Sequence, residues 1–490
     1  IFKKKNWILD IMCSIVGLEG NFKANDLIKM LKSSRNRGID SSGVFLAPDT
    51  IENNIDLDDY ANDSNQNFAM GHNLLSIFKL ENSEFYQPVS KDNLVLVFNG
   101  EIYNFRELSE FLNSDFSCDT DLLLNLAYHY FKKSGNLLEA VKKTVSKIDG
   151  DYSFALWDGE NLAIARDDMG VKPLFYAVNS NLKGFSSTRK SLKEVGFSEI
   201  KSLKPGNILY NWKEVDFRAH PWQITEDVDI SNLKELLFNS VSKRVEFLDE
   251  IAVIFSGGVD SAILTLILKE IASQRNLKIR LYSVGGKNSK DVQAARKLAS
   301  QLDLPLKVHD ISEEIVKENL SNVIRAIDDT NLMKIGVGMT IYLASKMIKE
   351  DGLKVAISGQ GADELFAGYN RYLKSFESGD LDEELRHDIE NMYHVNLERD
   401  DAVSMDNGVE LRLPFLDSKL VEFALNIPVE YKIIARDDKI RKHILRNLAS
   451  ELGLDDEFAF RPKKAAQYGT GIDKILRKKI IKNYDLNSFL

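Results

Sequence analysis

Cysteine is almost missing from this chain. Cys13 and Cys118 are the only two, too few for a disulfide framework or a Cys-rich metal site, so a reducing cytosol is the expected location. No apolar run reaches the ~18 residues of a membrane span, and no membrane partner is expected. Positive charge does not dominate either: 64 Lys and Arg face 74 Asp and Glu, a net charge of -10. That balance argues against a broad nucleic-acid surface, although a local basic groove stays compatible with it. A secretion signal is lacking by pattern, because Asp10 splits the apolar stretch after Lys3–Lys5 and no small-residue cleavage site follows. Residue 1 is Ile, so residues 1–12 read as an extension or a misplaced start, with Met12 the first residue or Cys13 exposed by removal of what precedes it. What remains is an ordinary globular composition, 44% hydrophobic and 28% charged, in 490 residues, too many for one core.

The most informative stretch is Ala252-Val-Ile-Phe-Ser-Gly-Gly-Val-Asp-Ser261. Ala252 to Phe255 read as a buried parallel strand. The strand runs into Ser256-Gly257-Gly258-Val259-Asp260-Ser261, and a helix-forming run, Ala262 to Leu268, follows. Strand, glycine turn and helix start together make an anion site, because free N–H groups and the positive helix end face the ligand. Gly257 and Gly258 let the backbone approach phosphate oxygens, and Ser256 and Ser261 add hydroxyl donors. Asp260 cannot bind phosphate directly, so an acid there points to a bridging Mg2+. The Walker spacing and its Lys are missing. The six residues resemble the loop of the ATP-pyrophosphatase family, which cleaves ATP between the α and β phosphates. Without its neighbours, the Gly-Gly pair would read as an ordinary tight turn.

Residues 13 to about 210 alternate short β-type runs with turns. Cys13–Gly17, Val44–Ala47, Leu94–Phe98, Tyr152–Trp157 and Leu162–Arg166 read as strands. Asn25–Lys32, Phe105–Phe111 and Asp119–Phe131 read as helices, which together predict a layered α/β sandwich. Lys204-Pro-Gly206 closes this domain, and the polar stretch 211–230, with Pro221, reads as a linker. A helix over Ser231–Phe247 leads to the glycine loop. Beyond it, strands at Ile279–Val284, Leu306–Ile311 and Leu353–Ile357 alternate with helical runs such as Asp291–Leu302, as in a parallel sheet with covering helices. Ligands of such sheets bind beyond the strand carboxyl ends. Three ends carry candidate groups: Ser256–Ser261, Ser283-Val284-Gly285 and Ser358-Gly-Gln-Gly-Ala-Asp-Glu364.

A family resemblance rests on longer motifs. Met12-Cys-Ser-Ile-Val-Gly17, Arg35-Asn-Arg-Gly-Ile-Asp-Ser-Ser-Gly43, Gln87-Pro88, Phe98-Asn-Gly-Glu-Ile-Tyr-Asn104, Asp119-Thr-Asp121 and Ala165-Arg-Asp-Asp-Met-Gly-Val-Lys-Pro-Leu174 resemble the class II glutamine amidotransferase domain in order and spacing. Asp291–Arg296, Gly359–Tyr369, Ser404–Asp417, Leu420–Ala424, Lys442-His-Ile-Leu-Arg446 and Arg461-Pro-Lys-Lys464 are similar to the synthetase half of glutamine-hydrolysing asparagine synthetases. The likeness runs from Cys13 to Tyr468. It implies two domains, α+β then α/β: an N-terminal-nucleophile αββα sandwich over 13–210, and, after the linker, an adenine nucleotide α-hydrolase-like (PP-loop) domain with a parallel sheet over 231–490.

The resemblance also implies a chemistry. Cys13 becomes the mature N-terminus, and its thiolate attacks the glutamine amide, with the free α-amine, of pKa ~8, as base. Asn99 and the N–H of Gly100 form the oxyanion hole. Glu101 and Asp119 hold the glutamine ammonium. ATP lies on Ser256, Gly257, Gly258, Asp260 and Ser261, its base between Ile254, Val284, Ser358 and Gly359. Asp260 and Asp363 hold Mg2+, and Lys463 neutralises the phosphate charge. Aspartate is activated as the β-aspartyl-adenylate, and ammonia channelled from Cys13 converts it to asparagine and AMP. The expected cofactors are thus ATP and Mg2+, and the expected partners are small molecules (glutamine, aspartate, ATP), not nucleic acid; a homodimer stays open. Plainer roles stand beside these: a buried structural thiol for Cys13, a helix N-cap for Asp363, a solvated side chain for Lys463. Cys118 reads as a packing residue.

Three positions depart from the family pattern. Leu74, in Gly71-His-Asn-Leu-Leu-Ser-Ile77, replaces the Arg that pairs with the glutamine carboxylate. Losing that contact costs about 2–3 kcal/mol, roughly 30–150-fold in binding, unless Arg35 or Arg37 compensates. Gln360 replaces the usual Glu and cannot act as a base. The acceptor-binding stretch, Asp329–Met339, has no Arg and offers only Lys334 as a point charge. The alternative is therefore a ligase of the same family that uses another carboxylate, with weak glutaminase activity.

Overall fold

The strand Ile11–Lys23 has apolar side chains on both faces. Ile15 packs with Phe45, Met70, Val97 and Ile164. Val16 and Leu18 pack with Leu27, Leu31 and Leu192. Successive side chains of a strand point opposite ways, so this one lies between two cores. It pairs antiparallel with Asn65–Ser76 and with Leu182–Ser186. Leu94–Ile102, Gly150–Trp157, Leu162–Arg166 and Ile208–Tyr210 form a second antiparallel run. The two runs touch by backbone at one residue pair, Ile11 with Gly100. Between them lies the Ile15 cluster. Helix Ala24–Ser33 covers the outside of the first run, and helices Asp119–Ser134 and Leu137–Val145 cover the second. This is the expected αββα sandwich.

The computed structural model describes residues 11–77, 86–223, 225, 228–287, 289–462, 469–481 and 485–489. The chain parts into two units between Pro221 and Trp222. The second unit holds a five-stranded sheet, in spatial order Leu306–Asp310, Lys278–Gly285, Glu250–Ile254, Val355–Ile357, Glu410–Arg412. All four pairings are parallel, so every strand ends on the same edge. The chain builds outward from Glu250–Ile254 to one side, then returns to build on the other. The strand order therefore reverses between Glu250–Ile254 and Val355–Ile357, and at such a switch point the two loops diverge and leave a crevice.

The structure lengthens several expected elements and adds others. The strand at Cys13 runs to Lys23, and Asn65–Ser76 is a further 12-residue strand. Glu410–Arg412 adds a fifth strand to the parallel sheet. The run expected as a helix from Asp291 is capped by Ser289, whose side chain accepts the N–H groups of Asp291 and Val292. Most of the expected acceptor stretch is the first two turns of a helix, Leu332–Glu350. Among the described residues no helix is long and apolar enough to cross a membrane.

His72 records the cost of building the first sandwich. It is 1% exposed, and its Nε2 has no hydrogen-bond partner among the described residues. Burial pulls the imidazole down from 6.5 to about 3. Below pH 6.5 the unfolded chain takes up a proton that the folded chain refuses. This contribution is therefore whole above the unfolded value and is lost as pH falls towards the folded one, by about 1.4 kcal/mol per unit. The expected outcome is that His72→Gln flattens the stability of this unit against pH between the two values. Denaturant titrations across that window check it, and identical slopes for both proteins would contradict it.

Candidate active site

Cys13 is the third residue of Ile11–Lys23 and is fully buried. Its backbone N–H donates to Asn99 Oδ1 at 3.2 Å. Asn99 thus spends its oxygen on Cys13, while its Nδ2 is buried without a partner among the described residues. A buried orphan donor costs about 1–3 kcal/mol, so this amide nitrogen carries an unmet demand for an acceptor. Gly100 comes next, where an added Cβ would lie 2.4 Å from the Asp151 carbonyl oxygen. Gln87 pins the strand here: its Oε1 accepts the Phe98 N–H at 2.6 Å, and its Nε2 donates to Thr120 Oγ1 at 3.0 Å. Asp119, in the first turn of its helix, accepts the Ile102 N–H at 2.7 Å. Glu101 is 3% exposed. Asn99, Gly100, Glu101 and Asp119 thus gather along the stretch of strand that meets Cys13.

Leu74 stands in register opposite Cys13 and packs with Cys13 and Cys118. Burial pushes the Cys118 thiol up to about 12, so it stays protonated and unreactive at neutral pH. Arg35 is engaged at the surface by Asp58, 2.7 Å away. Arg37 is buried and precedes Gly38, whose added Cβ would meet the Leu74 nitrogen at 2.7 Å. Of the two arginines, Arg37 is the one beside the Leu74 strand.

In the second unit, Ser256–Ser261 joins Glu250–Ile254 to the 16-residue helix Val259–Gln274. Gly257 has a φ of +67°, and an added Cβ would lie 2.7 Å from the Ala295 nitrogen. Glycine is needed there for both conformation and space. Among the described residues, an added Cβ at Gly258 would meet only Ser256 Oγ, at 3.2 Å, so that side of the loop is open to them. Ser256 Oγ accepts the Gly258 N–H at 3.3 Å and lies 3.3 Å from Ser261 Oγ. Ile254, Val284 and Ser358 stand at or just beyond the ends of three adjacent strands. The loop from Ser358 rests on the first loop, since an added Cβ at Gly359 would lie 3.1 Å from Asp260 Cβ.

Gly361, at φ +92°, caps the short helix Ala362–Leu365. The N-cap alternative for Asp363 is thereby corrected: Asp363 sits inside the first turn, and its side chain turns elsewhere. Lys442 Nζ lies 2.7 Å from Asp363 Oδ1 and 2.7 Å from Asp260 Oδ1. Two carboxylates share one buried cation position. That fits Mg2+, which takes one or two protein carboxylates and completes its shell with phosphate and water oxygens. Among the described residues no cluster of three or more His, Cys, Asp or Glu could hold a metal unaided. Lys463 lies outside the described residues. Its neighbour Arg461 donates to the Gly257 carbonyl at 3.4 Å and pairs with Asp291.

The sequence profile described as asparagine synthase matches residues 232–380 and 374–484, and that of the glutamine amidotransferase domain matches 12–229. A Methanocaldococcus jannaschii protein named "Putative asparagine synthetase 1", glutamine-hydrolyzing, is 38% identical over 98% of both chains. The chain belongs to the glutamine-hydrolysing asparagine synthetase family. Asparagine synthetases of Gallus gallus and Homo sapiens, also named as glutamine-hydrolyzing, are 28% identical over 80% of this chain and 75% of theirs.

Within that family's pattern, the neutral residue at 360 has a charged neighbour. Gln360 Nε2 donates to Asp400 Oδ2 at 2.5 Å. Asp400 is 1% exposed, and its Oδ1 accepts Arg399 Nε at 2.7 Å. Lys334, the one cation expected to meet the acceptor, is 2.8 Å from Asp329 of its own stretch. Its charge is already met. Lys442 and Asp400 were not singled out from sequence. The only signal for Lys442 was its place in Lys442-His-Ile-Leu-Arg446, and Asp400 had none.

Lys442→Met leaves Asp260 and Asp363 facing each other with no cation between them. Breaking a buried ion cluster by removing one partner costs about 3–5 kcal/mol. The variant is expected to melt lower than the parent and to recover more of its midpoint when millimolar Mg2+ is added. Calorimetry with and without Mg2+ checks this. An equal response from both proteins would show that the two carboxylates do not share a cation site.

Proposed function

We propose that the protein makes asparagine from aspartate and ATP with glutamine or ammonia as nitrogen donor, releasing AMP and pyrophosphate. One observation carries this reading. At the switch point of the parallel sheet, an open glycine loop at a helix N-terminus stands beside two carboxylates that share a cation position. The N–H groups of Gly258 to Ser261 and the Ser256 and Ser261 hydroxyls receive the phosphates. Ile254, Val284, Ser358 and Gly359 line the place of the base. Mg2+, held by Asp260 and Asp363, would supply charge neutralisation for the leaving pyrophosphate. Lys442, with Lys463 by family likeness, adds ammonium charge. An oxygen of the aspartate side-chain carboxylate bonds to the α-phosphorus as the bond to the β-phosphate breaks, leaving an acyl-adenylate. Ammonia then displaces AMP.

In the first unit, Cys13 supplies the thiolate once it is the first residue. Asn99 Oδ1 already accepts from the Cys13 nitrogen and would orient the free amine as base. The orphan Asn99 Nδ2 and the Gly100 N–H point to an oxyanion hole. Glu101 and Asp119 take the glutamine ammonium. Arg37, next to the Leu74 strand, is the cation we assign to the glutamine carboxylate. A second reading keeps the same steps with another carboxylic acid, and the engagement of Lys334 by Asp329 favours weighing it.

Labelled oxygen tests the first reading. Aspartate carrying 18O in its side-chain carboxylate is expected to deliver one label to AMP; AMP without label, or pyrophosphate released with other acids but never with aspartate, would overturn it. A second outcome concerns Leu74. Leu74→Arg is expected to lower the glutamine KM by roughly 30-fold, the weight of one charge-assisted contact, while ammonia-dependent synthesis stays as it was. Steady-state kinetics with each donor decides; an unchanged glutamine KM removes Leu74 as the cause of weak binding.

A further inference from the structure

Gln360 sits between two glycines at the switch point. Gly359 rests on Asp260, and an added Cβ at Gly361 would meet Leu416 at 2.5 Å. The backbone around Gln360 therefore has little freedom, and what it can do is set by its side chain. Nε2 of that side chain donates to Asp400 Oδ2 at 2.5 Å. An ionised carboxylate only accepts hydrogen bonds, so it fixes which way the amide lies: nitrogen towards Asp400, oxygen away from it. Gln360 is half-buried while Asp400 is fully buried, so the amide nitrogen is anchored on the interior side. The other Asp400 oxygen accepts from Arg399; burial pushes the Asp400 carboxyl up and the guanidinium beside it pulls it back. The geometry excludes two acids at once. A Glu at 360, the family's usual residue, would bring two carboxylates to contact distance, and one would have to take up a proton.

We propose that Asp400 is a positioning residue for the amide-forming step, holding the Gln360 amide by its nitrogen and turning its oxygen towards the incoming ammonia. The proposal rests on the reading given under Proposed function and concerns only its second half-reaction. In that step the nitrogen lone pair forms the C–N bond, and the acyl C–O bond to phosphate breaks with its electron pair going to AMP. One N–H proton leaves to the departing phosphate. Gln360 takes no proton. Its oxygen accepts an N–H hydrogen bond and so favours the nitrogen as it becomes positive.

The test uses the full chain with aspartate, ATP and ammonium chloride, and reads three quantities: the ammonia KM, kcat, and pyrophosphate released from aspartate without ammonia. Asp400→Asn is expected to raise the ammonia KM about tenfold, the worth of one charge-assisted hydrogen bond, and to change pyrophosphate release less than about twofold. Gln360→Glu alone is expected to impair ammonia use as well. Combining Gln360→Glu with Asp400→Asn is expected to bring the ammonia KM back to within about threefold of the parent, because coupled residues depart from additivity. An unmoved ammonia KM in Asp400→Asn, or a double variant as poor as the two single changes multiplied, would overturn the proposal. Should Asp400→Asn fail to fold, Gln360→Ala leaves Asp400 and Arg399 paired and must raise the ammonia KM by a similar factor; an unchanged value overturns the proposal too. A parent protein that releases no pyrophosphate with aspartate fails the earlier reading instead, and the same comparison is then made with the acid that does work.

Discussion

Two carboxylates cannot be buried side by side without a cation, and the second unit is arranged around that constraint. Asp260 and Asp363 come from the first turns of different helices, and Lys442, 182 residues from Asp260, stands between them. At an effective dielectric of ~20, unit charges ~4 Å apart interact by about 4 kcal/mol, enough to decide where a segment lies. The segment shows the strain. Arg441 and Lys442 both have φ near +55°, a region that costs a bulky residue about 1–3 kcal/mol and persists only where the surroundings insist on it. Arg446 does part of the insisting. Its guanidinium is buried and donates to the carbonyls of Ile440 and Arg441 on one side and of Ala459 and Arg461 on the other. One side chain thus ties the Lys442 turn to the stretch that reaches Gly257.

The first unit meets a related problem with neutral groups. Its buried junction holds Asn99 with one amide atom used and the other kept back, and a Gly100 that no larger residue could replace without meeting Asp151. Both units thus hold backbone and amide N–H donors in fixed positions, one beside a thiol and the other at a helix start, as a site for developing negative charge requires. Such donors need no reorganisation when the charge develops. Rigidity comes from where they sit: the Asn99 strand is fully buried, and the glycine loop is wedged against Ala295.

Much of this was legible in the sequence, and what escaped did so for physical reasons. The glycine loop could be read because its residues are contiguous and an apolar strand leads straight into it. Asn65–Ser76 could not, because Gly71, His72 and Asn73 in its middle count against a buried strand. Asn73 is tolerated there through partners far along the chain: Nδ2 donates to the Leu31 carbonyl, and Oδ1 accepts Ser42 Oγ. Lys442 was one of 64 basic residues until the fold set it between two acids. Asp400 lies in a Glu-Arg-Asp-Asp run that reads as a solvated surface; pairing with Arg399 is what makes its burial tolerable.

Leu74 and Gln360 then take on a common meaning. Each puts a neutral side chain where the family pattern has a charged one, and each has an ionisable residue on a neighbouring stretch of chain, Arg37 next to Gly38 in one unit and Asp400 in the other. What each change removes is direct contact, with its fixed angles and its ability to exchange a proton. In a site altered in this way the geometry is governed by the neutral side chain in front. At position 360 that side chain is an amide held by its nitrogen, which leaves one acceptor oxygen to set the geometry. At position 74 it is a leucine, which sets none. The two departures, alike in charge, therefore differ in what they leave behind: an amide oriented by its nitrogen at position 360 and an apolar side chain at position 74.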